Sequence, residues 1–283
     1  MPPSANPWSQ IGLAALLAGT TALTSCGETQ PVDAEAPTET AETAAAPAAP
    51  AAPADDVAAP AVPQGGEGVG VVSSESAAYD SVVYGSAIAI AKAHILAARD
   101  AYAAGETESA GEMFAHPASE VLADMQPIFE GLGVEPFSDL FLDASDAVFN
   151  GAPESDIVAR TETILAALTA AGTKAPKSDA SAGDVAVGVV TDQVDRAADM
   201  YAIAKENAYY GSYLDGYGFY KAAADEFAAG KDAIEEARPD LIPVIEGVLS
   251  SLSKAYPIAT LPDTMPTEPG ELIAQVSELK LAI

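Results

Sequence analysis

From about Ser76 onward the apolar positions recur in alternating steps of three and four. Tyr84, Ile88, Ala91, Ile95, Ala98 and Tyr102 form one such series. Val187, Val190, Val194, Ala197, Tyr201, Ala204 and Ala208 form a second. Leu241, Ile245, Val248, Leu252 and Ala255 continue the pattern, as do Leu272, Val276 and Leu279. This spacing is the seam of a helix packed in a left-handed bundle. Shorter helices fit 121–132, 137–149 and 157–168. No run alternates with the period of two that a half-buried strand needs. The pattern predicts an all-α fold.

The interruptions suit that reading. Gly105, Gly133 and Gly172 follow apolar stretches where helices should stop, and Pro117, Pro136, Pro153 and Pro239 stand where helices should start. The first helix, about 76–104, would be roughly 43 Å long at ~1.5 Å per residue. Alanine at many seam positions lets helices approach closely. The expectation is an antiparallel bundle of seven or eight helices over 76–283. The polar stretch 173–184 divides it near the middle, so two stacked four-helix units and one larger bundle both fit. A faint echo links KAHILAARDAYAAGE (92–106) to YKAAADEFAAGKD (220–232), each read as a helix ending in aromatic-Ala-Ala-Gly.

The N-terminal quarter has a different composition. Ile11 to Leu23 is an apolar run, too short for the ~20 residues that span a bilayer but of signal-peptide length. It leads into Leu23-Thr24-Ser25-Cys26, which resembles a bacterial lipobox, although MPPSANPWSQ before it carries no Lys or Arg. The resemblance implies a signal peptide over 1–25, lipidation at Cys26 and a membrane anchor of several acyl chains. With Gly27 rather than Asp next, it implies the periplasmic face of the outer membrane. Residues 26–75 are rich in Ala, Pro, Glu, Thr and Gly, a composition that cannot bury enough apolar surface to fold. They predict a disordered tether, about 150 Å long if fully polyproline-like and about 40 Å as a coil. GGEGVG at its end has neither the spacing nor the Lys of a phosphate loop.

Charge follows the same division. Twelve Lys and Arg stand against 42 Asp and Glu, a formal charge of −30. No basic residue precedes Lys92, while residues 27–74 hold eight acids. Such a balance excludes a nucleic-acid surface, which needs Lys and Arg beside phosphates. The single Cys excludes a disulfide framework and a multi-thiolate zinc site.

Two constellations could carry chemistry. His116 and Glu120 stand four apart, so on a helix they share a face and could hold a metal through nitrogen and oxygen, with His94 as a third donor. Alternatively, His116 caps a helix, Pro117 is its first residue and Glu120 is a first-turn acid. The segment KENAYYGSYLDGYGFY (205–220) holds half of the ten tyrosines. Tyr209, Tyr213 and Tyr217 step by four, with Asp215 among them. They suggest either a polar pocket facing the histidines or an aromatic plug between helices. Glycines 211, 216 and 218 oppose a plain helix here, at up to about 1 kcal/mol each. No nucleophile elbow, H-E-x-x-H, P-loop or EF-hand loop occurs.

An exported, Ala-rich helical protein with a His/Glu helix motif looks like the imelysin-type family, whose helices surround a G-x-H-x-x-E site. Here the spacing is H-x-x-x-E, and Gly111 is not at the family's position. The resemblance implies a periplasmic protein linked to iron uptake, with iron or another divalent or trivalent metal as its ligand. The leading expectation is therefore a non-enzymatic, lipid-anchored protein binding a metal through His116, Glu120 and His94. The alternative is a module that docks an envelope protein and takes no small ligand. A hydrolase of the imelysin kind is a third.

Overall fold

Asp80 shows how the first long helix begins. Its extended backbone and its carboxylate, which accepts hydrogen bonds from the Val82 and Val83 amides, make it an N-cap. The helix expected over 76–104 is therefore two, α1 (Ser74–Ala77) and α2 (Ser81–Ala103). The structure, a computed structural model, describes residues 74–283. The signal peptide, Cys26 and the tether up to residue 73 lie outside the described residues.

Ten α-helices and one 3-10 turn (Pro239–Leu241) make up the described residues, with no strand among them. After α2 come α3 (Thr107–Glu120), α4 (Leu122–Leu132), α5 (Asp139–Phe149) and α6 (Glu154–Gly172). Then follow α7 (Ala182–Asn207), α8 (Tyr210–Ala237), α9 (Ile242–Ala255) and α10 (Pro269–Ala282). The fold is all-α, as the periodicity requires. The count exceeds seven or eight because α1 is a single short turn and the chain breaks between α3 and α4.

The helices close into two rings. In the first, α2 packs on α3, α3 on α5, α5 on α6, and α6 back on α2. In the second, α7 packs on α8, α8 on α9, α9 on α10, and α10 back on α7. Helix α2 joins them by packing also on α7 and α8. Two four-helix units thus share one face, and the loop 173–181 carries the chain from one to the other. Short connections (104–106, 150–153, 208–209) turn helices back on their predecessors.

Helix α2 is the hub and is buried on nearly every side. By length and composition it could cross a membrane, yet 78% of its apolar window lies inside the bundle. Such a helix, hydrophobic all round, is what a core position requires. Small residues bring its neighbours close: a Cβ on Gly188 of α7 would fall 2.6 Å from Val82.

Three breaks fall elsewhere than the sequence predicts. Pro117 is not the first residue of a helix but lies inside α3, where it has no amide to offer the Met113 carbonyl. Gly230 does not end a helix; α8 runs through it to Ala237, and its missing side chain makes room for Ala186 of α7. Gly211, Gly216 and Gly218 also lie inside α8.

Candidate metal centre

His94 sits in the middle of α2 and is buried. Its Nδ1 lies 2.9 Å from the Ile90 carbonyl oxygen one turn earlier. A carbonyl can only accept, so Nδ1 carries the proton and Nε2 is left with its lone pair outward from the helix. Phe219 of α8 meets the ring edge-on at 6.0 Å between centroids and fixes its plane. Burial pushes the imidazole pKa down to about 4, helped by the nearby His116 and the Arg196 guanidinium and opposed by the Ile90 bond. Asp215 Oδ1, 3.8 Å from Nε2, would favour an imidazolium but stands beyond hydrogen-bond reach, so burial prevails. His94 is thus a neutral ring in a fixed tautomer, the form a metal needs.

His116 and Glu120 come from the last turn of α3, which packs directly on α2. Both are half-buried. The His116 ring faces the His94 ring at 6.1 Å between centroids, inclined by 71°. One ligand atom from each of His94, His116 and Glu120 lies within 4.8 Å of the others. Metal–ligand bonds of ~2.0–2.2 Å place opposite ligands up to about 4.2 Å apart, so closure by about half an ångström would seat an ion. Rotation of the half-buried Glu120 side chain supplies a movement of that size. Two imidazoles and one carboxylate are the donor set of the facial triad that takes divalent iron, and of several zinc sites. The residues present fit such an ion.

The reading of His116 as a helix cap is corrected. The helix begins at Thr107 with Glu106 before it, so His116 and Glu120 lie on a continuous helical face and not at a helix start.

The tyrosine segment divides. Tyr209 precedes α8 and is 51% exposed, so it does not line a face with the others. Tyr213 is fully buried, and its hydroxyl donates to the Ile258 carbonyl at 2.9 Å. Its ring packs on Tyr256 at 5.1 Å, which in turn meets Tyr201 at 5.3 Å. Tyr217 donates to Asp100 Oδ2 at 2.7 Å, at the α2–α8 contact. Burial pushes the Tyr213, Tyr217 and Tyr256 phenols well up from their ordinary values. These phenols, with their hydroxyls donated to protein oxygens, form a plug that holds α8 to its neighbours. Asp215, buried on α8, and Phe219 are the residues of that segment that meet His94.

The glycines explain that placement. A Cβ on Gly218 would fall 2.5 Å from the Ala93 carbonyl oxygen, and one on Gly216 would fall on the Tyr256 hydroxyl. Helix α8 therefore lies with its backbone against α2, which brings Asp215 and Phe219 onto His94. Sequence reasoning did not find Arg196, which rests over the Phe219 ring at 5.8 Å and pairs with Asp192 at 3.0 Å. No spacing in the sequence connects Arg196 on α7 with His94 on α2.

Comparison of the chain with protein-family models, with curated proteins and with solved structures finds no match.

Proposed function

We propose that this protein is an envelope lipoprotein whose helical domain binds a divalent transition-metal cation through His94, His116 and Glu120. The observation that carries this reading is the convergence of three ligand atoms from two helices within 4.8 Å. The neutral, oriented state of His94 supports it further. Iron is the first metal to test, because two imidazoles and a carboxylate suit ferrous iron and because the imelysin-type resemblance is to iron-uptake proteins. Ordinary phenolate ligation of ferric iron is disfavoured, since the buried phenols donate to protein oxygens. The role is carriage or storage of the ion and not catalysis. The lipobox at Cys26 anchors the domain to the outer membrane through the tether.

The purified protein, titrated with ferrous iron without oxygen, with zinc and with copper, tests the reading. Saturable binding at one equivalent is expected, lost in the His116→Ala/Glu120→Ala double variant. Absence of saturable binding, or binding unchanged in that variant, refutes it and leaves the docking module as the better account. The anchor has its own test: Cys26→Ser should release the protein from the membrane fraction and abolish fatty-acid labelling.

A further inference from the structure

We infer that an ion bound at the His94 site also fixes α4 and, through it, α1, so that occupancy of the site is felt where the Ala/Pro-rich stretch joins the domain. The inference rests on the metal reading above and adds to it a response of the fold.

The starting point is the position of two of the three ligands. His116 immediately precedes Pro117, and Glu120 immediately precedes Val121, where α3 ends. Pro117 has no amide for the Met113 carbonyl, and its ring crowds that oxygen, so α3 is weakened between the two ligands. The chain passes this point and turns into α4 at Val121. The Val121 amide still reaches the Pro117 carbonyl at 3.2 Å, and the Val121 carbonyl accepts from the Met125 amide at 3.0 Å. Helices α3 and α4 are thus two parts of one rod with a joint at 117–121. An ion held by His94, His116 and Glu120 pins both sides of that joint to α2, the buried hub.

Beyond the joint, α4 is lightly held. A second proline, Pro127, stands inside it and deprives the Ala123 carbonyl of its helical partner. Its buried side chains are Leu122, Met125 and Phe129. It packs on α3 and on the single-turn α1, with Phe129 edge-on to Tyr84 of α2 at 5.8 Å and beside Phe137 at 5.7 Å. A helix with three buried side chains and an interrupted ladder opens at lower cost than the core around it. A restraint placed at its first turn therefore changes its order more than it changes α2. Helix α1 depends on α4 in turn, since it packs between α2 and α4 and buries Ala77 there.

Coupling of this kind is reciprocal: if the ion orders α4, loosening α4 weakens the ion. Phe129 is the residue to remove. It lies nine residues past Glu120, about 13 Å along a helix at ~1.5 Å per residue, and so does not touch the ion. Zinc affinity is measured for the parent, for Phe129→Ala and for Leu252→Ala, a core variant in α9 of the other unit. Amide hydrogen exchange of the parent is followed with and without zinc. Phe129→Ala should weaken zinc by at least about 5-fold, and Leu252→Ala should stay within about 2-fold of the parent. Zinc should slow exchange across 122–132 and at the Tyr79 and Asp80 amides, which donate to the Ser76 carbonyl of α1.

The inference is overturned if zinc binds saturably and leaves α4 and those two amides exchanging as before. It is equally overturned if Phe129→Ala loses less than about 5-fold, or if Leu252→Ala loses as much as Phe129→Ala does. The exchange experiment uses the parent alone, so it decides the matter even if Phe129→Ala does not fold. A parent that binds no zinc refutes the metal reading and this inference together, whereas binding without a response in α4 refutes this inference alone.

Discussion

Gly218→Ala isolates the contact on which the site depends. In a helix interior, replacing Gly by Ala is ordinarily stabilising by about 1 kcal/mol, because the unfolded glycine has more freedom to lose. At Gly218 the new Cβ would stand 2.5 Å from the Ala93 carbonyl oxygen, 3.0 Å from its carbon and 3.1 Å from the Ala97 Cβ. Ordinary contact begins at 3.4 Å, so α8 must retreat from α2 by close to 1 Å. The obstacle is main chain and cannot rotate aside. Overpacking of this kind costs about 1–3 kcal/mol, which offsets the propensity gain and leaves a net loss of up to about 2 kcal/mol. Gly247→Ala in α9 is the control, since nothing lies within 4 Å of its Cβ position. It should gain up to about 1 kcal/mol. Urea unfolding of the two variants should therefore move the midpoint in opposite directions. The retreat of α8 should also weaken zinc binding in Gly218→Ala and leave it intact in Gly247→Ala. Equal stabilisation by both substitutions would refute the claim that backbone contact sets the α2–α8 spacing.

Two further outcomes follow from single residues. The His94 pKa falls from 6.5 to about 4 on folding, so the unfolded chain binds the extra proton between those values. Its contribution, about 3 kcal/mol, is present in full above pH 6.5 and is lost as pH falls from 6.5 to 4; the difference between metal-free parent and His94→Gln in urea unfolding across that window should show it, and the imidazole signal in NMR should titrate near the lower end. Ala208, which ends α7 in the left-handed region at φ 51°, is the one non-glycine with positive φ among the described residues. Ala208→Gly should raise the thermal midpoint, corresponding to about 0.5–1 kcal/mol, and a fall would show that the turn between α7 and α8 carries no such strain.

The fold was legible because burial of a helix face leaves a period in the chain. Tyr84, Ile95, Val190, Tyr201, Leu252 and Val276, all taken from the periodic series, lie in the core. The loop between the two units shows equally well in the polar run at 173–184. What failed was punctuation. Glycine stops a helix at Gly105 and Gly133, both left-handed, but at Gly218 and Gly230 it admits a neighbouring helix. A single sequence cannot distinguish these uses, because the deciding atom belongs to another helix. Pro117 misled for a related reason. Its missing amide marks a weak point in any helix, and here the chain passes that point and breaks only at Val121.

The site was legible in its parts and not in its assembly. Residue type and the four-residue spacing joined His116 to Glu120, and the scarcity of histidine added His94. The concentration of tyrosine and glycine marked 205–220 as unusual without showing which residue mattered. The structure separates these roles by distance. The phenols donate to Ile258, Asp100 and other protein oxygens and hold helices together, whereas Asp215, less conspicuous in the sequence, stands 3.8 Å from His94. The glycines that argued against a helix are the reason the carboxylate arrives there, since α8 reaches α2 only where side chains are absent. Read in this way, the cluster of tyrosines and the pair of histidines are consequences of one close helix crossing. A variant that opens the crossing should disturb both the plug and the metal, and one that alters only a phenol, such as Tyr213→Phe, should cost stability of about 1 kcal/mol and leave metal affinity unchanged.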